Sequence, residues 1–395
     1  MIGPKVRLVA GCMSGTSLDG LDVVMVELRG SGLDLTAAFK GMVHRPLGQL
    51  RGELMQLAEG MALAPSGQLQ VARRLGQLHV EAVTALVGQG QRPDFVVAHG
   101  QTIWHAPQEQ LSFQLFDPWP LVRELGLPVC FDLRQADLIG GGEGAPITPL
   151  ADWVMYRQHA PSVLVVNLGG ICNVTRLVSS EGPQAVEAAD IGPCNLLIDG
   201  VVRLFCPNLP YDEGGRMAAS GSPSDLMAAP VMAHPFFEGE GPKSAGREQF
   251  GQSWVRGLLE THGKTMDRND LIAAAVEVVA MIIGARVRQD PVQMVILAGG
   301  GARNLALLER IRVHVQEEAK VLAGFGRHRK ETGNRQSAIG SPQVCLSDEL
   351  GVPAEAREAM AMAVLGTLSQ DGLPITLAQV TGAADPGRGG TWVYP

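Results

Sequence analysis

Two β-rich runs separated by a polar turn open the chain between Val6 and Leu28. Apolar residues dominate positions 6–9 and 23–26, and turn-forming residues occupy the segment between them. Runs of this kind on either side of a glycine-containing turn are typical of a β-hairpin. The sequence therefore predicts a hairpin whose tip is formed by Gly15, Thr16, Ser17, Asp19 and Gly20.

The remainder of the first half alternates predicted helices and strands. Apolar residues recur at helical spacing from Ser66 to Gly88, which predicts a long helix with His79 partly exposed. A short apolar run at Asp94–Ala98 is typical of a buried strand, and the polar residues after it lie where α/β folds bind ligands. The same reasoning predicts a strand at Leu33–Val43 and a helix at Leu47–Ala58.

The opening pattern returns at Ser162, where an apolar run, a glycine-containing turn and another β-rich run follow one another. This second predicted hairpin reads SVLVVNLGGICNVTRLV, and we interpret it as a structural duplication that opens a second α/β half. The other predicted elements of this half are helices at Leu196–Phe205, Asp270–Val287 and Leu305–Val315, a strand at Val292–Leu297, and a last helix that begins at Pro353.

Chain length and a glycine-rich segment predict two domains. At 395 residues the chain exceeds the size at which one hydrophobic core keeps growing. The glycines at 140–144 lie between two apolar regions, as in a hinge or a substrate-binding loop, and we place the junction beside them. The first domain is assigned residues 1–134 with the tail 372–395, and the second is assigned residues 135–371. The apolar side chains at 392–394 are expected to pack on the first half, and a cleft between the domains is the expected working site.

Charge and cysteine content exclude several classes of protein. The net charge is −8 and no basic tract could follow a phosphate backbone, so nucleic acid is not an expected partner. The six cysteines show no zinc-binding spacing, and the sequence shows neither a signal peptide nor an apolar run long enough to span a membrane. We therefore expect a globular, cytoplasmic protein with reduced thiols and no membrane partner.

The tip of the first hairpin has the composition of a phosphate-binding loop. Small residues let backbone N–H groups approach a ligand, hydroxyls bond phosphate oxygens, and a carboxylate can hold the accompanying cation. The same residue types are ordinary in turns, so a hairpin tip without a ligand fits the loop equally well. The glycine turn of the second hairpin would offer a facing surface for a polyphosphate.

Three further segments carry candidate chemistry. Asp190 precedes Pro193 and a predicted helix, where it would either cap the helix or act as a functional carboxylate. The triple glycine 299–301 lies between a strand and a helix, a geometry that brings backbone close to a flat or anionic ligand. Lys243 and Arg247 share a glycine-containing loop and would bind phosphate or a carboxylate, although such residues usually form surface ion pairs.

Eight segments in fixed order resemble a single family over nearly the whole chain. They read GCMSGTSLDGLDV, AHGQTIWHAP, FDLRQADLIGGGEGAPITP, VVNLGGICNVT, ADIGPCNLLIDG, PKSAGRE, LAGGGARN and EAREAMAMAVLG. Together they resemble the 1,6-anhydro-N-acetylmuramic acid kinases of bacteria, which belong to the superfamily of actin-like, Hsp70-like and sugar-kinase ATPases. The resemblance implies an α/β fold of two duplicated ribonuclease-H-like (actin-like ATPase) domains, with ATP and Mg²⁺ bound in the interdomain cleft.

The resemblance also implies the reaction. Family members use ATP to convert the anhydro sugar released in cell-wall recycling to N-acetylmuramic acid 6-phosphate and ADP, opening the 1,6-anhydro bridge with water and phosphorylating O6. Asp190 matches the catalytic aspartate of the family, which acts as general base on the water that attacks C1. We expect a helix N-terminus to help keep this carboxylate ionised.

Binding residues are implied by matching positions. Gln101, Thr102 and Trp104 match the substrate-pocket segment of the family. Arg134 is suited to pair with the lactyl carboxylate of muramic acid, and Glu358 is expected to bond the sugar or stabilise a closed form. Mg²⁺ is expected at Asp19. The expected nucleotide-binding residues are Gly15, Thr16, Ser17, Leu18, Asp19, Gly20, Leu21, Asp22, Asn167, Gly169, Gly170, Gly299, Gly300 and Gly301.

The chain also departs from the family pattern. The family usually reads DTGPGN where Ile191 and Cys194 occur here, Phe116 replaces a glycine, and the basic segment 324–342 resembles an inserted surface loop. We therefore expect activity with an altered substrate preference. Two alternatives stay open, namely another sugar kinase of the superfamily that phosphorylates an ordinary hydroxyl, and a non-catalytic ATP-binding sensor or scaffold. A homodimer is an assembly that the sequence leaves open.

Overall fold

A computed structural model of the chain describes residues 5–15, 18–238, 245–262, 266–329 and 341–395. The chain divides into two compact units. The first comprises Met1–Gln158, Glu181–Glu187 and Gly351–Pro395, and the second comprises His159–Ser180 and Ala188–Leu350. Residues 135–158 and 351–371 therefore group with the first unit, whereas the sequence-based assignment gave them to the second domain.

The strands of the described residues form two larger sheets, one in each unit, and a separate two-stranded sheet. In chain order they are β1 (Val6–Met13), β2 (Leu21–Arg29), β3 (Thr36–Arg45), β4 (Phe95–Ala98), β5 (Gln101–Ala106), β6 (Leu111–Leu115), β7 (Val129–Phe131), β8 (Ser162–Leu168), β9 (Ile171–Val178), β10 (Glu187–Pro193), β11 (Met294–Ala298), β12 (Gln343–Leu346) and β13 (Thr391–Val393).

The sheet of the first unit has the strand order β13-β7-β4-β1-β2-β3. β1 pairs with β2 and β2 with β3 in antiparallel fashion, which confirms the predicted opening hairpin and the third strand. β4 lies parallel to β1, and β7 lies parallel to β4. β13 pairs antiparallel with β7, so the apolar tail packs on the first half as the sequence predicts.

The sheet of the second unit has the strand order β10-β9-β8-β11-β12. β8 and β9 form the second predicted hairpin, and β11 and β12 extend the sheet in parallel on the other side of β8. All five residues of β11 are buried, as expected for a central parallel strand covered on both faces. Both units therefore repeat one plan, three consecutive strands followed by parallel strands beside the first, which confirms the predicted duplicated ribonuclease-H-like fold.

Helices cover these sheets, and none of the described helices is long and apolar enough to cross a membrane. In chain order they are α1 (Leu50–Ala58), α2 (Pro65–Val87), α3 (Trp119–Leu125), α4 (Gln135–Ile139), α5 (Pro149–Tyr156), α6 (Asn195–Phe205), α7 (Arg216–Ser220), α8 (Ala228–Met232), α9 (Arg247–Phe250), α10 (Gln252–His262), α11 (Arg268–Gln289), α12 (Leu305–Arg329), α13 (Arg357–Gln370) and α14 (Ala378–Thr381).

Helix α13 packs on the first sheet at very short range. A Cβ added to Gly11 of β1 would lie 2.0 Å from the backbone oxygen of Ala359, and one added to Gly366 would lie 2.2 Å from Val97. Small residues at these positions allow the helix and the strands to approach, so the alanine- and glycine-rich sequence of α13 is explained by packing. The same contact explains why residues 357–370 belong to the first unit.

Three sequence-based predictions about elements are wrong. The last long helix begins at Arg357, because residues 353–356 form a turn closed by a bond from the Ala356 N–H to the Pro353 oxygen. His79 is only 1% exposed, and burial lowers its pKa to about 4, so the imidazole is neutral. Residues 324–329 of the predicted basic loop continue α12, whereas residues 330–340 lie outside the described part of the chain.

Candidate functional site

The tip of the first hairpin is held in a defined turn. The N–H of Leu18 donates to the oxygen of Gly15 at 3.2 Å, and Leu18 has a positive φ of 57°. Its side chain is buried in a cluster with Leu47, Leu50 and other leucines, and this burial offsets the backbone strain. Leu18 can therefore offer only backbone groups to a ligand. Thr16 and Ser17 lie outside the described residues.

The last three residues of the expected phosphate loop are fixed by packing. A Cβ on Gly20 would lie 2.2 Å from the His44 ring, so the turn accepts only glycine without rearrangement. Leu21 is fully buried and begins β2 together with Asp22. The Asp22 carboxylate lies 2.8 Å from Nδ1 of His44, and burial raises its pKa while His44 opposes that change. Among the described residues no three His, Cys, Asp or Glu side chains form a metal cluster.

Gln101 connects the expected substrate-binding segment to the hairpin tip. The hydroxyl of Ser14 donates to Gln101 Oε1 at 2.7 Å, and Gln101 Nε2 donates to the Gly15 oxygen at 3.4 Å. Gln101 is almost fully buried. Because both ends of its amide are occupied by the loop, Gln101 orients the hairpin tip in this structure.

Thr102 and Trp104 lie on β5 of the β5–β6 hairpin, on either side of a shift in its register. Thr102 pairs with Gln114 across the hairpin, and Trp104 pairs with Phe113. The hydroxyl of Thr102 accepts from Gln114 Nε2 at 3.4 Å. Trp104 is 55% exposed and presents an open aromatic surface.

Arg134 is held by hydrogen bonds on two of its three nitrogens. Its Nε donates to Nε2 of His99 at 3.0 Å, and its Nη1 donates to the oxygen of Gly144 at 2.5 Å. Burial lowers the pKa of Arg134 to about 10 and the charges of Glu358 and Asp137 oppose the change, so the guanidinium stays charged at neutral pH. The sequence-based interpretation missed His99 as the partner of Arg134, although its place directly after β4 is a signal for a functional residue.

His99 can accept the Arg134 hydrogen bond because its ring is neutral. Burial lowers the pKa of His99 to about 3, and its Nδ1 lies 2.9 Å from the Gly100 oxygen. With the proton on Nδ1, the lone pair on Nε2 faces Arg134. The pair therefore fixes both the tautomer of the imidazole and the plane of the guanidinium.

Glu358 lies within electrostatic range of Arg134 and of other charged side chains. Burial raises its pKa, while Arg357 and Arg134 lower it and Asp22 and Asp152 raise it further. The first unit thus brings Glu358 into electrostatic range of both Arg134 and Asp22, which are far from it in the sequence.

In the second unit the two expected nucleotide segments lie side by side. The parallel pairing of β8 with β11 places Asn167 opposite Ala298, immediately before the triple glycine. A Cβ on Gly299 would lie 2.5 Å from Oδ1 of Asn167, and one on Gly301 would lie 2.7 Å from the Leu168 side chain. Gly300 faces open space. The close approach requires glycine at 299 and 301, and it leaves backbone groups accessible at 300.

Asn195 fixes the glycine turn of the second hairpin and was missed by the sequence-based interpretation. Its Nδ2 donates to the Leu168 oxygen at 2.9 Å, and its backbone N–H donates to the Gly169 oxygen at 3.0 Å. The next amide, that of Leu196, donates to the Gly170 oxygen at 3.0 Å. The start of α6 therefore determines the shape of the turn.

Asp190 lies within β10, and the prediction that it stands at the entrance of a helix is wrong. Helix α6 begins five residues later at Asn195, because Pro193 ends the strand and Cys194 precedes the helix. Oδ2 of Asp190 accepts a hydrogen bond from the Ala245 N–H at 2.8 Å. Burial raises the pKa of Asp190 to about 6 and this hydrogen bond opposes the rise. The carboxylate is therefore ionised at neutral pH, yet more basic than an ordinary aspartate.

The departures from the family pattern are accommodated by packing. Cys194 is fully buried and burial raises its pKa to about 12, so its thiol stays protonated. The ring of Phe116 packs against His79 at 4.8 Å and against Phe131 at 5.9 Å between centroids. Both side chains fill protein interior beside the segments that carry the candidate residues.

The family model and the curated relatives agree on one family. The family model of anhydro-N-acetylmuramic acid kinase matches residues 7–325. The chain is 30% identical to the anhydro-N-acetylmuramic acid kinase of Bacillus cereus strain Q1, with 98% of this chain and 99% of that one covered. It is 32% identical to the kinase of the same name from Salinibacter ruber, with 96% and 94% covered.

Among solved structures the chain is similar to an activator of 2-hydroxyisocaproyl-CoA dehydratase from Clostridium difficile with bound ADPNP, at 11% identity and a TM-score of 0.44, with 92% of this chain and 96% of that one covered. It is also similar to a ROK family glucokinase from Streptomyces griseus, at 12% identity and a TM-score of 0.37, with 92% and 99% covered. The near full-length matches to curated relatives decide the assignment. The chain belongs to the anhydro-N-acetylmuramic acid kinase family.

Proposed function

We propose that this protein uses ATP to convert 1,6-anhydro-N-acetylmuramic acid to N-acetylmuramic acid 6-phosphate and ADP. The observation that carries the proposal is membership of the kinase family over nearly the whole chain. The ionised, weakly basic carboxylate of Asp190 supports it, because hydrolytic ring opening needs a base that accepts a proton from water near neutral pH.

Asp190 serves as the general base. One of its oxygens accepts the Ala245 N–H, and this hydrogen bond holds the carboxylate while the other oxygen receives the water proton. The water oxygen bonds to C1 as the C1–O6 bond breaks, and O6 takes the electron pair of that bond. O6 then bonds to the γ-phosphorus as the bond to the ADP oxygen breaks.

The sugar is recognised by residues of the first unit. Arg134 pairs with the lactyl carboxylate through Nη2, for which no hydrogen-bond partner is described, while His99 and Gly144 hold its other nitrogens. Thr102 contributes a hydroxyl, Trp104 contributes an aromatic surface, and Glu358 bonds a sugar hydroxyl.

ATP is bound by glycine-containing turns. The β1–β2 tip contributes backbone groups at Gly15, Leu18 and Gly20 to the phosphates. The turn at 167–170 and the glycines at 299–301, which lie together in the second unit, contribute the remaining contacts to the nucleotide. Gln101 acts on the same phosphates indirectly by orienting the tip.

Mg²⁺ fits the carboxylate of Asp19, beside Asp22. The charge of Asp19 raises the pKa of Asp22, which places the two carboxylates within electrostatic range. Mg²⁺ usually takes one or two carboxylates together with phosphate oxygens and keeps several waters. When bound, Mg²⁺ neutralises charge that develops on the phosphates.

Free, largely buried thiols at all six cysteines support a cytoplasmic location. A homodimer stays a prediction.

An incubation with isotopic water tests the proposed reaction. The protein is mixed with Mg·ATP, 1,6-anhydro-N-acetylmuramic acid and ¹⁸O-water, and the sugar phosphate is analysed by mass spectrometry. We expect ADP and a product labelled at C1, and we expect Asp190→Asn to abolish turnover while nucleotide binding persists. Phosphorylation of other sugars alone would favour an ordinary sugar kinase, and ATP binding without turnover would favour a sensor.

A further inference from the structure

Asp137 is a buried carboxylate that the proposed reaction does not use. It is 1% exposed and accepts hydrogen bonds from two threonine hydroxyls on Oδ1, from Thr376 at 2.5 Å and from Thr381 at 2.7 Å. Its Oδ2 accepts the backbone N–H of Gly144 at 2.8 Å. Three hydrogen-bond donors thus satisfy this carboxyl group in the protein interior.

The hydrogen bond to Gly144 links Asp137 to the sugar-recognition residue. Gly144 donates its N–H to Asp137, and its oxygen accepts from Nη1 of Arg134. The path from Asp137 to Arg134 therefore crosses a single residue. The charges of Asp137 and Arg134 also interact directly, since Asp137 opposes the effect of burial on the guanidinium pKa.

The glycine-rich segment at 140–144 is fitted closely around this carboxylate and the C-terminal chain. A Cβ on Gly142 would lie 2.2 Å from Oδ2 of Asp137, and one on Gly140 would lie 1.8 Å from the oxygen of Asp385. Backbone bonds join Glu143 to Thr381 at 2.8 Å and Ala384 to Gly140 at 2.9 Å. The glycines thus permit a close approach, and Asp137 fixes the segment from within.

We propose that Asp137 is a positioning residue that sets the selectivity of this enzyme for an acidic sugar, by holding the Gly144 oxygen that orients Arg134. This inference rests on the proposed pairing of Arg134 with the substrate carboxylate. His99 fixes Nε of Arg134 and Gly144 fixes Nη1, so Nη2 is directed to one place. Loss of Asp137 releases Gly144 and allows the guanidinium to rotate away from that direction.

The test compares two anhydro sugars that differ only in the lactyl ether that carries the carboxylate. The substrates are 1,6-anhydro-N-acetylmuramic acid and 1,6-anhydro-N-acetylglucosamine, and kcat and KM are measured for each. Arg134→Ala is expected to reduce the selectivity for the acidic sugar on the order of a hundredfold, the loss of a charge-assisted pair. If Arg134→Ala leaves the selectivity unchanged, the proposed carboxylate contact itself is wrong.

Asp137→Ala is the decisive variant. We expect the KM for the acidic sugar to rise about tenfold. We expect kcat, the KM for ATP and the KM for the neutral sugar to stay near their original values. Asp137→Asn keeps an oxygen for the Gly144 N–H, so it should shift the selectivity in the same direction by a smaller factor, and it provides the measurement if the alanine variant does not fold.

Asp371→Asn serves as the matched control. Asp371 is a largely buried carboxylate of the same unit that binds Arg7 and the Gly32 N–H, and no described contact joins it to Arg134. The Asp371→Asn substitution should lower the melting temperature of the protein without changing its selectivity between the two sugars. Two results would overturn the inference. One is that the Asp137 variants lose the same factor of kcat/KM for both sugars. The other is that the Asp137 variants keep the original selectivity while Arg134→Ala abolishes it.

Discussion

Asp152 of α5 and Arg357 of α13 form an ion pair that is almost completely buried. Nε of Arg357 donates to Oδ1 of Asp152 at 3.0 Å, and Nη2 donates to the second carboxylate oxygen. The two residues are 205 positions apart and belong to the same unit. The pair therefore joins α13, which follows the second unit in the sequence, to α5, which precedes that unit.

Arg357→Leu should destabilise the protein strongly, because it leaves Asp152 buried without its cationic partner. We expect a loss of about 3–5 kcal/mol in the free energy of unfolding of the first unit, measured by urea denaturation. The double variant Asp152→Leu/Arg357→Leu should recover much of this loss. A single variant as stable as the original protein would show that the pair contributes nothing.

Gly11→Ala should also destabilise the first unit, because the added methyl would overlap the Ala359 oxygen of α13. We expect a loss of about 1–3 kcal/mol or more, the range for overpacking. Gly52→Ala is the matched control, since Gly52 lies in α1, where an added Cβ would meet only open space, and it should gain about 0.5–1 kcal/mol. Equal effects of the two substitutions would contradict the packing argument.

The value of kcat/KM should rise with pH through the pKa of Asp190. Burial raises that pKa to about 6, and the base works only when ionised, so activity is lost as the pH falls through this value. Below the pKa, kcat/KM should fall about tenfold per pH unit. ADP affinity measured over the same range separates this effect from unfolding, and a flat rate profile across the interval would rule out Asp190 as the base.

Trp104→Ala should raise the KM for the anhydro sugar, because the proposed sugar site loses its aromatic surface. We expect a change of about tenfold, in line with the loss of one aromatic contact. Trp119→Ala provides a matched control, since Trp119 is 56% exposed, Trp104 is 55% exposed, and both belong to the first unit. The two variants should behave alike in stability and differ in KM. Equal KM values would place Trp104 outside the sugar site.

The sequence predicted the parts of the fold that depend on local pattern. Both hairpins and the buried strands β4 and β11 followed from apolar runs beside glycine-containing turns. Pro353 misled the helix prediction because proline favours a first helical turn and a simple turn alike. His79 was misplaced because helical spacing shows which residues share a face, whereas the fold decides how wide the buried face becomes.

The roles of the candidate residues depended on contacts that no local pattern contains. Asp137 receives its threonine partners from positions 376 and 381, and His99 meets Arg134 from 35 residues away. Asp190 was assigned to a helix entrance because Pro193 is a helix-start signal, yet pairing in β10 extends the strand through that proline. These contacts join residues that are distant in the sequence, and only the folded chain brings them together.

The pairing of β13 with β7 has a consequence for synthesis on the ribosome. Residues 159–180 and 188–350 emerge before α13 and β13, so the second unit can complete its own sheet while the first still lacks a central helix and an edge strand. Until then Gly11 and its neighbours on β1 expose the apolar surface that α13 later covers. The amino-terminal unit is therefore the last to mature, and it is the natural point at which a stalled nascent chain would need a chaperone.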